Sequence, residues 1–505
     1  MPVVSFPRRL ADLAAQQPDR PAVTCGERSV TRAGLEAWTD RLARELRTLG
    51  VGVGDMVTIA LPNGLEWFVA FVAALKLGAT PQPVSARLPA RELGAIVALA
   101  EPKVVVGTID VLGPPGEVVD GVPVIDVGKV RAMAFGSAAA AAAAGDGDGD
   151  GDGDDDPLPD VVAPAWKAPT SGGSTGRPKL IVSGDPAEID SDTPPLLRMV
   201  PDGCLVMPGP LYHNGPIVWS MTALLAGSHV VVLERFDAAA TLRAVAEHGA
   251  DTIYLVPTMM KRISRLPDEV RLGFDLSSLQ TIWHLAEPCP PWLKQQWIDW
   301  FGPEVILELY AGTEAQTATI ITGHDWLAHQ GSVGHAAEGA VTILDPEGQP
   351  VPAGTVGEIW LRRQRDRPTY RYVGAEARTR DGGWESLGDL GYLDDDGFLY
   401  LADRAQDMIV SGGANLYPAE IEAALNEHPA VRSCAVVGLP DDDLGHRAHA
   451  IVETDAGAID VEELRVFVRE RLAAYKVPRT WEVVQESLRD DAGKVRRSEL
   501  RAARL

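Results

Sequence analysis

Nine consecutive residues, Ser171-Gly172-Gly173-Ser174-Thr175-Gly176-Arg177-Pro178-Lys179, combine three glycines, three hydroxyls and two cations. Glycine lets the backbone approach a ligand closely, and exposed N–H groups beside hydroxyls can wrap the oxygens of a polyphosphate. Arg177 and Lys179 supply the positive charge that such an anion needs. The expected ligand is a nucleoside triphosphate. The phosphate loop of kinases and ATPases is excluded, because Pro178 precedes Lys179 and Leu180 follows it, where that pattern requires glycine before the lysine and a hydroxyl after it.

Five further segments follow in order. They are Leu211-Tyr212-His213-Asn214-Gly215; Tyr310-Ala311-Gly312-Thr313-Glu314; Gly388-Asp389-Leu390-Gly391-Tyr392; Asp403 to Ile409 with Ser411-Gly412-Gly413; and Gly493-Lys494-Val495-Arg496-Arg497. With the glycine-rich loop, this set and order resembles the adenylate-forming enzymes. That superfamily includes acyl-CoA ligases, adenylation domains of peptide synthetases, and luciferase. The resemblance spans nearly the whole chain and implies an AMP-forming acid–CoA ligase that uses ATP, magnesium and coenzyme A.

The chemistry so implied makes a definite demand. A carboxylate and the α-phosphate of ATP must meet, and two such charges repel by about 4 kcal/mol at roughly 4 Å and an effective dielectric of about 20. A cation between them offsets the repulsion and stabilises the charge that departs with pyrophosphate. The resemblance gives that part to Lys494. It makes Glu314 the magnesium carboxylate and Thr313 the α-phosphate hydroxyl, with Tyr310 stacked on adenine ahead of Ala311 and Gly312. Asp389 and Arg404 would hold the ribose, and Ala286, Glu287 and Pro288 would border the adenine. His213, Asn214 and Leu285 would line the acyl pocket, Gly412 and Gly413 the pantetheine tunnel, and Gln406 would be the pivot between two domain orientations.

Several positions depart from the family pattern. Ser171 and Gly172 replace a threonine and a serine at the start of the loop, so one phosphate hydroxyl is lost. Ala311 replaces a glycine, Gln406 an aspartate or lysine, and Leu285 a glycine beside the acyl pocket. Together they resemble the subgroup that includes bile-acid CoA ligases, which implies a bulky, steroid- or terpenoid-like acid. Weakened triphosphate contacts leave open an enzyme that thioesterifies a preformed adenylate, and, because the pantetheine tunnel would be similar, an adenylating enzyme that loads a carrier protein is a second alternative.

These residues must be held by a large framework. At 505 residues the chain exceeds a single core and should divide into domains. Strand-then-helix patterns at 55–77, 229–248 and 252–264 predict an α/β class with parallel-rich sheets flanked by helices. The texture changes after Asp381, and a small mobile α+β domain is expected over 404–505, beyond a large domain at 1–403. The alanine and Gly-Asp tract at 138–157 offers nothing to bury and reads as a disordered insert. A net charge of −25 argues against nucleic acid or an anionic membrane as partner. Cys25, Cys204, Cys289 and Cys434 are widely spaced, so neither a disulfide framework nor a zinc site is expected, and a cytoplasmic location follows. The apolar run at 67–75 is too short to span a bilayer and predicts a buried helix. A homodimer is compatible with all of this.

Overall fold

The computed structural model describes residues 3–108, 121–134, 157–172, 178–190, 196–364, 367–404, 406–412, 414–454, 459–489 and 494–505. The low-complexity tract up to residue 156, the loop residues Gly173, Ser174, Thr175, Gly176 and Arg177, and Gly413 and Gly493 lie outside the described residues.

The predicted alternation is present. Val-, Ile- and Leu-rich strands His229–Val232, Cys204–Met207, Thr252–Leu255, Thr281–Leu285 and Ile306–Ala311 pair in that order, all parallel. Their continuous apolar character fits a parallel sheet covered on both faces. From Ala318–Thr322 onward the same sheet continues antiparallel, through Ser332–Ala336, Leu399–Arg404 and Asp389–Leu393. A second parallel sheet joins Thr80–Pro83, Met56–Ala60, Val104–Gly107 and Val124–Asp126. A third, antiparallel ribbon joins Thr170–Gly172, Pro178–Ser183 and Tyr370–Val373.

Helices between strands carry the local signatures expected of them. In helix Ala238–His248 the Asp237 carboxylate accepts from the amide of Ala240 at 2.7 Å, and Gly249 closes the other end at φ +56°. Helix Leu65–Lys76 is buried along its whole length, including Glu66 and Lys76. Both charges are paired: Glu66 with Arg28 and Arg131 at 2.5 and 2.8 Å, Lys76 with Glu36 and Asp40 at 2.6 and 2.5 Å. An all-round apolar helix of this kind belongs in a core. Among the described residues no helix is long and apolar enough to cross a membrane.

From Ile409 the chain builds a separate five-stranded sheet, Ala414–Leu416, Ile409–Ser411, Gly445–Glu453 and Ser433–Asp441, with Thr480–Val484 on its flank. Helices Pro418–Asn426 and Val461–Arg469 cover it around Ile421, Leu425, Leu464 and Val468. This core is composed of residues from Ile409 onward alone.

Candidate active site

The strand Ile306–Ala311 delivers Tyr310, then turns through Gly312 to bury Glu314 to 6% exposure. A Cβ on Gly312 would meet Leu387 Cδ1 at 2.5 Å and Glu314 Oε2 at 2.8 Å, so any larger residue there would push the Glu314 carboxylate or Leu387 aside. Ala311, by contrast, is exposed, which explains why a side chain is tolerated. Thr313, between them, is half-buried. Tyr372 donates its hydroxyl to Glu314 Oε1 at 2.5 Å, and Lys179 Nζ lies 3.5 Å from the same oxygen. The Lys179 ammonium also sits 3.9 Å from the centre of the Tyr372 ring. Thr369 ties down the Glu314 carbonyl at 2.8 Å. Burial, followed by the bond to Glu314, raises the pKa of the Tyr372 phenol. It therefore stays a donor at neutral pH.

Asp389 opens the strand Asp389–Leu393 and pairs in register with Arg404. Tyr310 donates to Asp389 Oδ2 at 2.7 Å, and Arg404 Nε lies 3.3 Å from Oδ1. Burial first, then the Asp389 charge, pushes the Tyr310 pKa well above its ordinary value. The tyrosine ring is thereby fixed by the carboxylate beside it.

A second group of predicted site residues surrounds helix Asn214–Leu225, which begins at His213. Tyr254 packs against that start: a Cβ on Gly215 would run into its hydroxyl and ring. Trp219 lies edge-on to Tyr254 and to Trp283, with ring centres 5.3 and 5.6 Å apart. Leu285 follows Trp283 by two residues on the strand and so shares its face. The result is a largely aromatic wall. His213 Nε2 and Trp219 Nε1 are buried in it without a hydrogen-bond partner among the described residues. Burial, then the nearby charge of Lys494, pushes the His213 pKa down to about 3. His213 is thus neutral at physiological pH.

Lys494 is exposed and follows the C-terminal sheet in sequence, yet its charge reaches the ring of His213 in the large part of the molecule. An ion pair beside it joins the same two parts: Arg489 Nη1 stands 3.6 Å from Glu287 Oε1. Glu287 Oε2 accepts from the amide and hydroxyl of Thr258 at 3.1 and 2.7 Å. Ala286, immediately before it, has φ +72°, a left-handed backbone that costs a side-chain-bearing residue roughly 1 kcal/mol. This turn is what swings Glu287 towards Thr258, while exposed Pro288 leads the chain away. Gln406 is exposed, in a turn between the end of one sheet and the start of the other. Gly412 has φ +56°, and its amide donates to the carbonyl of Leu444 at 3.0 Å.

The structure thus gathers Lys179, Tyr310, Gly312, Glu314, Asp389 and Arg404 on one wall and His213, Asn214 and Leu285 on the other. The backbone of Ser171 and Gly172 pairs with that of Lys179 and Pro178 at the mouth of the loop. Sequence reasoning missed Tyr372, Thr258, Arg489 and Lys167, whose ammonium donates to Asn214 Oδ1 at 2.5 Å. Only Lys167 had a local sign, as a cation in the otherwise apolar run leading into the loop. Among the described residues no cluster of three or more His, Cys, Asp or Glu side chains could hold a metal unaided, and the four cysteines are free.

A large α/β body followed by a small α+β one with its own core is the hallmark of a class, and the comparisons with known proteins agree. The model of the AMP-binding enzyme family matches residues 10–370, and that of the AMP-binding enzyme C-terminal domain matches 420–494. The chain belongs to the AMP-binding enzyme family. Within it, the chain is of the AMP-forming acid–thiol ligase type, in keeping with its full-length relatives. A feruloyl-CoA synthase of Amycolatopsis sp is 31% identical over 504 residues, 98% of each chain. The 4-coumarate--CoA ligase-like 9 of Oryza sativa subsp. japonica is 32% identical, across 99% of this chain and 92% of the relative. Among solved structures, the amide bond synthetase McbA of Marinactinospora thermotolerans aligns over 99% of both chains, with a TM-score of 0.77 and 26% identity. The o-succinylbenzoate CoA synthetase of Bacillus subtilis, solved with its acyl-adenylate, shares the fold at TM-score 0.80 and 24% identity, over 99% and 98% of the chains.

Proposed function

We propose that this chain converts a bulky ring-bearing carboxylic acid, ATP and coenzyme A into an acyl-CoA, AMP and pyrophosphate, through an acyl-adenylate. The reading rests on one observation above others: the small part that carries Lys494 is seated on the large one just beyond the strand of Leu285, through Arg489 and Glu287 at 3.6 Å. From there Lys494 can stand between the acid and the α-phosphate. Tyr310 stacks on adenine. Asp389, which offers about four acceptor positions in all, keeps room for ribose hydroxyls beside Tyr310 and Arg404. Ser174, Thr175 and the glycines of the loop wrap the outer phosphates, and Thr313 donates to the α-phosphate. Glu314 fits a magnesium ion, since one buried carboxylate plus phosphate oxygens satisfies a hard cation. When bound, the ion neutralises phosphate charge.

In the second half-reaction the small part turns about Gln406, withdrawing Lys494 and bringing Gly412 and Gly413 to the tunnel. The coenzyme A sulfur then attacks the acyl carbon, and AMP leaves. Until that happens the closed cleft shields the adenylate from water.

The acid is proposed to be flat or polycyclic, aromatic or steroid-like; Trp219, Tyr254 and Trp283 are themselves buried in the core behind Leu285, so the support for this class comes from the chain's relatives. Relatives named for feruloyl, 4-coumarate and 2-succinylbenzoate chemistry support the aromatic end of that range. The test is a panel of ferulate, 4-coumarate, 2-succinylbenzoate, cholate and palmitate, each with Mg-ATP and coenzyme A. Pyrophosphate exchange and thioester mass are read together. Palmitate outperforming every ring-bearing acid would overturn the substrate class. Thioester formed from supplied adenylate without any exchange would leave only the second half-reaction. Turnover with a carrier protein but not with free coenzyme A would replace the acceptor.

A further inference from the structure

We propose that Lys167, oriented by Asn214, is a second cationic contact for the nucleotide's phosphate chain, on the same face of the ribbon as Lys179. The proposal rests on the nucleotide-dependent reading above and adds a residue to it.

The placement follows from the ladder. Thr170 pairs with Leu180, and the amides of Ile181 and Ser183 donate to the carbonyls of Pro169 and Lys167 at 3.0 and 2.9 Å. Lys167 therefore stands opposite Ser183. Ser183 lies four residues from Lys179 along one strand, and side chains two or four apart share a face. Two lysines thus project to one side of the ribbon that runs into the glycine-rich loop. Lys179 meets Glu314 directly at 3.5 Å, and Lys167 lies near enough to feel the same carboxylate.

The surroundings of Lys167 are incomplete as they stand. Its side chain is buried, at 5% exposure, and its ammonium has three protons to donate. Among the described residues the only acceptor is the neutral amide oxygen of Asn214 at 2.5 Å. The Trp166 ring lies 4.9 Å away. Asp185, the other carboxylate whose charge reaches it, is ion-paired with Arg367 at 2.6 Å. Burial pushes the Lys167 pKa down to about 8, against the pull of Asp185 and Glu314. A buried ammonium with one neutral partner is costly unless an anion arrives to complete it. An anionic phosphate oxygen would do so, and bound charge would hold the lysine protonated.

Calorimetric titration of the full chain with Mg-ATP, AMP, pyrophosphate and adenosine tests this. Replacing Lys167 by Met should weaken Mg-ATP about tenfold to a hundredfold, the size of one charge-assisted hydrogen bond. Adenosine binding should be unchanged, and Lys167→Arg should recover part of the loss. Loss for ATP and pyrophosphate but not AMP would put the contact at the outer phosphates. Loss for AMP as well would put it at the α-phosphate, and either supports the proposal. Unaltered Mg-ATP affinity in Lys167→Met, or equal loss for adenosine, would overturn it. Lys167→Gln is carried in parallel; if neither uncharged variant folds, the lysine serves the fold and the proposal falls. A native chain that binds no Mg-ATP at all would instead defeat the ligase reading.

Discussion

The two walls of the cleft that the large part provides are built differently from the lobe that carries Lys494. Around Glu314 and Asp389 each polar group is clasped by another. Tyr372, Lys179 and Thr369 converge on Glu314, while Tyr310 and Arg404 converge on Asp389. The C-terminal lobe meets this frame through polar contacts: Arg489 with Glu287, Lys261 with Asn426 at 2.7 Å, and Arg265 with the Val431 carbonyl at 2.9 Å. Its apolar core stays within itself. Preorganised donors need no rearrangement when charge develops. A polar interface between bodies with separate cores can separate without exposing either core, as a turning lobe requires. The contrast teaches that the two bodies keep separate apolar cores and meet through polar groups, which is what the proposed turning of the lobe needs.

The sharpest break of that contrast is Lys494→Ala. Acyl-adenylate formation should fall about a hundredfold to a thousandfold, the effect of losing one preorganised charge contact at a transition state. Thioester formation from supplied adenylate should change little. Equal loss of both half-reactions would mean that the lobe does not move. On the fixed side, Tyr372→Phe removes a bond to a buried carboxylate, worth about 1.5–3 kcal/mol. The KM for Mg-ATP should rise at least about tenfold, and an unchanged value would show that Lys179 holds Glu314 alone.

The interface is probed by a double-mutant cycle on Glu287→Ala and Arg489→Ala. Coupling of about 0.5–1 kcal/mol in the adenylation rate is expected for a partly screened pair. Additive effects would remove that pair from the set that seats Lys494.

His213 reports the same geometry by titration. Burial is the larger cause of its low pKa and Lys494 the smaller, so Lys494→Ala should raise the value modestly, as read by NMR. The sign for stability follows. The unfolded chain takes up this proton from about pH 6.5, whereas the folded chain does so only near 3. Acidification between those values therefore costs stability, and His213→Phe should flatten that part of the acid melting curve. The smallest effect belongs to Ala286→Gly. Relief at φ +72° less the entropy cost of glycine should leave a gain of about 0.5 kcal/mol in a denaturant melt. A loss would show that the turn draws support from the alanine methyl.

Reading the chain alone recovers a great deal. Apolar runs with helix and strand periods located Leu65–Lys76, Ala238–His248 and Thr252–Leu255 to within a residue or two, because these elements are determined by local burial pattern and caps. The order of the six segments was likewise a linear property. The partnerships were not. Tyr372 reaches Glu314 across 58 residues, Lys179 across 135, and Lys167 meets Asn214 across 47. A tyrosine or lysine in a strand looks the same in sequence whether it faces solvent or a carboxylate. What the sequence by itself determined was the set of elements and the chemical groups that each carries. Only the tertiary structure decided which groups share a buried space, since that depends on sheet order and register between distant strands. It also decided that Ala286 takes a glycine's conformation and that Arg489 of the small part meets Glu287 of the large one, outcomes of long-range packing that no local preference encodes.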